Sequence, residues 1–167
     1  LRACRRLGVE LLNDRQCVEY TRGDGRATVA FADGSTDSAE LVIAADGLHS
    51  AARVAFVGDE PVNSSYVAYR AAIPFDQVRE NQVHETDVVV YVGPRCHFVQ
   101  YPLRGGEMFN QVAVFQSPKA VVGQEDWGTP DELDQAFVGT CEQVQRGLPL
   151  MWRDRWWRMF DRNPVMN

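Results

Sequence analysis

The stretch "LVIAADGLHSAAR", residues 41 to 53, decides the fold that the sequence predicts. Its apolar run, residues 41 to 45, predicts a buried strand that is covered on both faces. The run ends at Asp46-Gly47, and Ser50 lies where it can cap a short helix that starts at the next residue. A strand, a tight turn and a helix in this order are typical of an α/β layer.

The same stretch predicts a ligand site beside the turn. In open α/β sheets ligands bind beyond the carboxyl ends of strands, where Asp46 could accept hydrogen bonds from hydroxyl groups. Gly47 has no side chain, so a ligand could approach its backbone closely. The helix N-terminus behind Ser50 and the guanidinium of Arg53 both favour a negative charge such as a phosphate. The alternative is a turn that Asp46 and Ser50 merely cap, and the residues alone leave both interpretations open.

The rest of the chain predicts two kinds of structure. Up to residue 60 the pattern indicates an α/β layer with an inserted β-meander, with a helix over 1–7 and strands over 9–12, 16–22, 27–31 and 39–45. Residues 61 to 116 contain β-rich segments separated by Pro, Gly and polar turns, which predicts an antiparallel sheet. We place a boundary between the two parts near residues 58 to 61.

Residues 129 to 147 predict one continuous helix. Thr129 and Glu132 form a capping box, and Pro130 occupies the first helical position. Apolar residues follow at three- and four-residue steps and give the helix one apolar face: Leu133, Phe137, Cys141, Val144 and Leu148. The Trp- and Arg-rich stretch at 150 to 162 is expected to be helical or extended, with Trp rings in the core and Arg stems over them. A homodimer interface is the alternative use of that stretch.

Composition restricts the class of function. The 167 residues are 45% hydrophobic and 24% charged, which predicts a soluble globular chain. The net charge of −6 argues against nucleic-acid binding, because contacts to phosphates supply most of that affinity. No apolar run approaches the roughly 18 residues of a membrane span. The four cysteines have no C-x-x-C spacing, so we expect reduced thiols in a cytoplasmic protein and no metal site.

The stretch at 41 to 53 resembles the Asp-Gly fingerprint of the flavoprotein aromatic hydroxylases, the single-component FAD monooxygenases with the p-hydroxybenzoate hydroxylase fold. The resemblance rests on the apolar run, Asp46-Gly47, Ser50 and Arg53, and it implies that these residues contribute to binding FAD and NAD(P)H. It continues along the chain, since "YVAYRAAIP" and "PRCHFVQYPLRGGEMFNQVAVF" resemble strands of the substrate lobe. The combination of "HFVQYP" with "RGGEMFNQVAVF" is most similar to 3-hydroxybenzoate 6-hydroxylases, followed by salicylate hydroxylases.

The fold class implied by the resemblance is α/β (α+β). It comprises a partial FAD-binding lobe with a β-meander over 1–60, a substrate-binding antiparallel sheet over 61–125, and a helix and return segment toward the FAD domain over 126–167. The family's G-x-G-x-x-G phosphate loop and its second Gly-Asp motif have no counterpart in these residues. We therefore interpret the chain as the central part of such an enzyme, and we expect the chain alone to be inactive.

His97 and Tyr101 carry the substrate hypothesis. Residues four apart in a strand share a face, and a straight strand separates their Cα atoms by about 13 Å, at about 3.3 Å per residue. The resemblance implies that both side chains face the hydroxyl of the substrate, where histidine is suited to act as a general base near neutral pH. The alternative is an aromatic residue of the sheet and a histidine with an ordinary structural partner.

Two further residues are candidate substrate contacts. Arg70 could pair with a substrate carboxylate or face the flavin, and a structural ion pair is the alternative. Gln111 is a candidate polar contact.

The predicted function is hydroxylation of a phenolic aromatic acid by a cytoplasmic enzyme that uses FAD, NAD(P)H and O₂. Conversion of 3-hydroxybenzoate to 2,5-dihydroxybenzoate is the favoured reaction. One alternative is salicylate hydroxylase, which would release CO₂ and form catechol. The other is a truncated, non-catalytic binding module.

Overall fold

The computed structural model describes residues 1–78 and 86–165. The chain divides into two compact units, one formed by Leu1–Pro61 with Arg162–Asn167 and the other by Val62–Asp161. In the described residues, no helix is both long and apolar enough to cross a membrane.

The first unit contains a three-stranded antiparallel meander. Its elements in chain order are α1 Arg2–Arg6, β1 Cys17–Gly23, β2 Arg26–Phe31, β3 Thr36–Ala39 and α2 Ala51–Val54. The strands lie in the order β1-β2-β3. Asp24 and Gly25 join β1 to β2 with φ values of 52° and 74°, the positive pair that a two-residue hairpin turn needs. The predicted helix at 1–7 and the strands at 16–22 and 27–31 are confirmed.

Two predicted strands of this unit are wrong. Residues 9–12 and 40–45 adopt no strand, and β3 ends at Ala39. The apolar run after β3 is not buried either, since Leu41 is 74% exposed and Ile43 is 80% exposed. A strand requires a hydrogen-bonded neighbour, and the described part of the chain provides none beside these two segments.

The second unit is a five-stranded antiparallel sheet with helices over one face, so the predicted antiparallel sheet is confirmed. Its strands are β4 Val62–Pro74, β5 Val89–Gly93, β6 Cys96–Leu103, β7 Met108–Gln116 and β8 Trp157–Asp161. They lie in the order β5-β6-β7-β4-β8. Three consecutive residues with positive φ, Arg104 to Gly106, form the turn between β6 and β7.

Three short helices cover one face of this sheet: α3 Pro118–Val121, α4 Pro130–Ala136 and α5 Glu142–Gly147. Alternate strand residues point toward them and form the core, including Tyr69, Phe98 and Phe115, none of which is exposed to solvent. Phe137 contributes an edge-to-face contact with Phe98 at 6.1 Å between ring centroids. This covered face stabilises the sheet and leaves the other face available for a site.

The predicted continuous helix over 129–147 is wrong in one respect, because residues 137–141 interrupt it. The capping box of Thr129 and Glu132 is present. Gly139 has a φ of +76°, which ends a helical path, and Cys141 is exposed although the pattern placed it on the apolar face. The apolar spacing runs through both helices because both pack on the same sheet. Within the Trp-rich stretch, only Trp157–Asp161 is extended, as β8. The predicted core position holds for the ring of Trp156, which packs against the core, whereas Trp152 and Trp157 are 40% and 39% exposed.

Candidate functional site

The face of the second sheet opposite the helices is rich in valine, and we call it the valine face. Cross-strand partners share a face, so the pairing defines its members: Ala68, Arg70, Ala72, Val90, Val92, His97, Val99, Tyr101, Asn110, Val112 and Val114. Val92 on this face is 82% exposed. An apolar floor with a few polar groups is typical of a site for an aromatic ligand.

The valine face brings together three of the predicted site residues. His97 and Tyr101 lie on β6 with Val99 between them, and both side chains are half-buried. Arg70 lies two strands away, opposite Val112 of β7. Its guanidinium carbon is 5.6 Å from the centroid of a Trp157 ring, a cation–π contact. Within the described residues, none of these three side chains is occupied by a hydrogen bond or an ion pair.

Gln111 lies on the covered face, apart from the other three. Its side chain is 1% exposed, and its Oε1 accepts a hydrogen bond of 2.7 Å from Nε2 of Gln100, its cross-strand partner. Its own Nε2 donates to the carbonyl of Gly147 at 3.4 Å. Gln111 therefore connects β6 and β7 to the end of α5, where a ligand on the valine face does not reach it.

Asn110 is a polar residue of the valine face that the sequence analysis did not select. It lies between Tyr101 of β6 and Ala72 of β4 and is 8% exposed. Its buried Nδ2 has no hydrogen-bond partner among the described residues, a state that costs about 1–3 kcal/mol. The Gly-Gly turn after β6 could have revealed this residue, since the hairpin register sets Asn110 opposite Tyr101.

In the first unit, the Asp-Gly turn is closed by hydrogen bonds within the chain. Gly47 has a φ of +79°, and its carbonyl accepts from the Ser50 N–H at 3.1 Å. The hydroxyl of Ser50 caps α2 by accepting from the Arg53 N–H at 3.0 Å. The Asp46 carboxylate accepts from the Ala52 N–H at 3.2 Å. The pKa of Asp46 is lowered, mainly by a hydrogen bond with the Ser50 hydroxyl and next by the hydrogen bond from the Ala52 N–H.

Arg53 is the centre of an ionic cross-link that the sequence analysis missed. Its guanidinium donates two hydrogen bonds to Asp59, of 2.8 Å and 2.7 Å, and a third of 2.6 Å to the carbonyl of Asn163. Arg162 also binds Asp59 and donates to the carbonyl of Leu48 at 2.8 Å. The hydrogen bonds from Arg53, together with the charges of both guanidiniums, lower the pKa of Asp59. Arg53 is therefore engaged by a carboxylate and is not a free anion-binding group.

The residues of the turn are compatible with a ligand that carries hydroxyl groups. A cleft of about 320 Å³ in the first unit is lined by β1 and β2 residues and by the segment that ends at Asp46. A methyl group built on Gly47 would meet no atom within 4 Å, so the backbone there is open to approach. Asp46 and Gly47 thus fit the ligand-binding role, while Ser50 and Arg53 support the turn from behind.

No protein-family model matches the chain. The chain is 33% identical over 163 residues to 3-hydroxybenzoate 6-hydroxylase of Polaromonas naphthalenivorans strain CJ2, covering 94% of this chain and 39% of the relative. It is 35% identical, over 94% of this chain and 49% of the relative, to 3-hydroxybenzoate 6-hydroxylase 2 of Aquipseudomonas alcaligenes. The chain is homologous to part of the flavin-dependent aromatic hydroxylases.

Two solved structures share the fold of this chain. A salicylate hydroxylase in a substrate complex matches with a TM-score of 0.65 at 24% identity, over 94% of this chain and 43% of that one. HpxO of Klebsiella pneumoniae, complexed with FAD and uric acid, matches with a TM-score of 0.62 at 23% identity, over 88% of this chain and 38% of that one. The predicted α+β fold class is therefore confirmed. The chain spans less than half the length of each of these four proteins.

Proposed function

We propose that the protein to which this chain belongs is a FAD-dependent monooxygenase that hydroxylates a phenolic aromatic acid, with NAD(P)H as electron donor and O₂ as oxygen source. The favoured reaction is the conversion of 3-hydroxybenzoate to 2,5-dihydroxybenzoate. The observation that carries the proposal is the convergence of Arg70, His97 and Tyr101 on the valine face. The similarity to two 3-hydroxybenzoate 6-hydroxylases supports this choice of substrate.

Each of these side chains has a role in the proposed reaction. His97 and Tyr101 hold the phenolic oxygen, and His97 takes its proton, because a phenol that has lost its proton is a better nucleophile at the ring. Arg70 pairs with the carboxylate of the substrate, for which a guanidinium is the best-matched side chain. The valines between them pack against the aromatic ring and exclude water. Gln111 has a structural role on the covered face.

The Asp46-Gly47 turn would hold FAD and admit NAD(P)H, with Ser50 and Arg53 keeping the turn in place. When bound, FAD supplies the redox chemistry and the activation of O₂. The chain's own contribution is the hydrogen-bond acceptor of the Asp46 carboxylate and the open backbone at Gly47.

Location and assembly form a separate part of the proposal. We place the protein in the cytoplasm, because the four cysteines of the chain are free. We also propose a homodimer contact through the ring of Trp152, since this ring is 40% exposed and tryptophan is enriched at interfaces. Light scattering tests this contact: the wild-type protein should have the mass of a dimer and the Trp152→Ala variant that of a monomer. A monomeric wild-type protein would contradict the proposed homodimer.

The test of function uses the full-length protein. We expect a flavin absorbance spectrum, NAD(P)H oxidation that 3-hydroxybenzoate stimulates, and 2,5-dihydroxybenzoate as the product. Release of CO₂ and catechol from salicylate at a higher kcat/KM would favour the decarboxylating alternative. A flavin-free protein with neither activity would overturn the proposal and favour a non-catalytic binding module.

A further inference from the structure

Asn110 is the one described residue whose buried side-chain nitrogen lacks a hydrogen-bond partner. Folded proteins leave few such groups, and each one that occurs requires an explanation. Only 8% of Asn110 is exposed, so bulk water does not hydrogen-bond to its buried nitrogen. Its neighbours along β7 on the same face are Met108 and Val112, which offer no side-chain oxygen. The missing acceptor must therefore come from outside the described residues.

The position of Asn110 selects the chemistry of that acceptor. It is the direct cross-strand partner of Tyr101 on one side and of Ala72 on the other. Arg70 precedes Ala72 by two residues on the same face, so Arg70 and Asn110 are diagonal neighbours, about 7–8 Å apart between Cα atoms. Two donor side chains on neighbouring strands of one face, one of them charged, match a carboxylate, which has two oxygens and only accepts hydrogen bonds.

We propose that Asn110 is a substrate-positioning residue whose side-chain amide donates to the carboxylate of the aromatic acid, beside Arg70. This inference rests on the proposed function. It divides the valine face into two parts: Arg70 and Asn110 bind the carboxylate, while Tyr101 and His97 bind the phenolic oxygen. The amide is covered in this structure, so binding includes a rotation of a neighbouring side chain, and the half-buried ring of Tyr101 is the one directly opposite.

The test measures ligand affinity in the flavin-loaded full-length protein by titration of the flavin absorbance. The ligands are 3-hydroxybenzoate and 3-hydroxybenzyl alcohol, which lacks the carboxylate. Asn110→Leu keeps the size of the side chain and removes the donor. We expect it to weaken 3-hydroxybenzoate binding by about tenfold or more, the effect of losing a hydrogen bond to a charged group. Affinity for the alcohol should change by less than about twofold. Asn110→Asp should weaken 3-hydroxybenzoate binding further, since it sets two carboxylates together.

Gln100→Leu is the matched control, because it removes a buried amide from the covered face of the neighbouring strand. It should lower thermal stability and leave both affinities unchanged. Equal loss of affinity for the two ligands in Asn110→Leu, or no loss, would overturn the assignment. If that variant does not fold, a structure of the wild-type protein with 3-hydroxybenzoate decides the matter: a carboxylate beyond hydrogen-bonding distance of Asn110 overturns it. Wild-type protein that binds neither ligand would overturn the proposed function and, with it, this assignment.

Discussion

At the scale of single residues, two sets of polar groups differ in how far the chain itself satisfies them. Arg53 and Asp59 complete each other's hydrogen bonds, and Ser50 caps its own helix. His97, Tyr101 and Arg70, in contrast, present side chains that no hydrogen bond to a described residue occupies. Groups of the first kind maintain the structure, whereas groups of the second kind are those that the proposed function assigns to the substrate.

Replacing His97 with Ala, or Tyr101 with Phe, should slow hydroxylation in the full-length protein by about 10²–10⁴-fold for the general base and by less for the tyrosine. The fraction of NAD(P)H oxidised without product formation should rise, because the ring would be less reactive, while FAD content stays constant. Product and peroxide yields per NAD(P)H measure this coupling. Val138→Ala, an exposed change on the helical side, is the control. Unchanged turnover and coupling in both variants would contradict the assignment.

The lowered pKa of Asp59 makes the Arg53–Asp59 pair sensitive to acid. Its carboxyl has a pKa below the usual 3.8 because Arg53 hydrogen-bonds and faces it. The stabilisation of the folded state by this pair is therefore complete above the ordinary pKa of an aspartate. It is lost as the pH falls through the lower pKa that Asp59 has in the folded state. Thermal unfolding measured between pH 6 and pH 3 should show a Tm that falls below about pH 4. The fall in Tm should be smaller in the Asp59→Asn variant. Parallel curves for the two proteins would refute this contribution.

At the scale of elements, the register of the β6–β7 hairpin determines the site. Its turn sets His97 opposite Val114 and Tyr101 opposite Asn110, and it sets Gln100 opposite Gln111 on the other face. A shift of one residue would exchange the two faces. On the covered face, the end of α5 lies close to the sheet, where the carbonyl of Gly147 accepts a hydrogen bond of 3.4 Å from Nε2 of Gln111.

Gly147, at the end of α5, should not tolerate a side chain. A methyl group there would lie 2.5 Å from Oε1 of Gln111 and 2.7 Å from the ring of Phe98. Gly147→Ala should therefore lower the free energy of unfolding by about 1–3 kcal/mol through overpacking. Gly58→Ala, where the methyl group meets no atom within 4 Å, is the control in a urea titration. Equal stability of the two variants would show that α5 can move away from the sheet without cost.

At the scale of the whole molecule, the two units differ in how completely the described residues bury their apolar side chains. The second unit has a core of fully buried side chains. In the first unit, Leu41, Ile43 and Phe56 are each more than 70% exposed. The relatives continue well beyond the region they share with this chain, which covers 39% to 49% of their length.

The 167-residue chain, purified alone, should therefore bind no FAD and should bind a hydrophobic dye through its exposed apolar side chains. Absorbance near the flavin bands and dye fluorescence measure the two properties. The Leu41→Ser/Ile43→Ser double variant is the control and should bind less dye. Stoichiometric FAD in the isolated chain would contradict the expectation.

The sequence by itself determined the elements whose signals are local. The β-rich segments of 61–116 and the turns between them predicted an antiparallel sheet, and the capping box predicted the start of α4. The spacing of Asp46, Gly47, Ser50 and Arg53 predicted the turn and cap. Periodicity also predicted that His97 and Tyr101 share a face. These signals are local because they depend on hydrogen bonds and side-chain directions within a few residues.

Only the tertiary structure decided which residues meet. Residues 39–45 have the composition of a buried strand, but burial and pairing depend on neighbours far away in sequence, so the run is exposed here. The pairing of Arg53 with Asp59 was not predicted either, because it depends on the path of the chain after α2, which brings the two side chains together. Gln111 and Asn110 are adjacent polar residues of one strand, and the register alone assigned the first to the core and the second, without an acceptor, to the valine face.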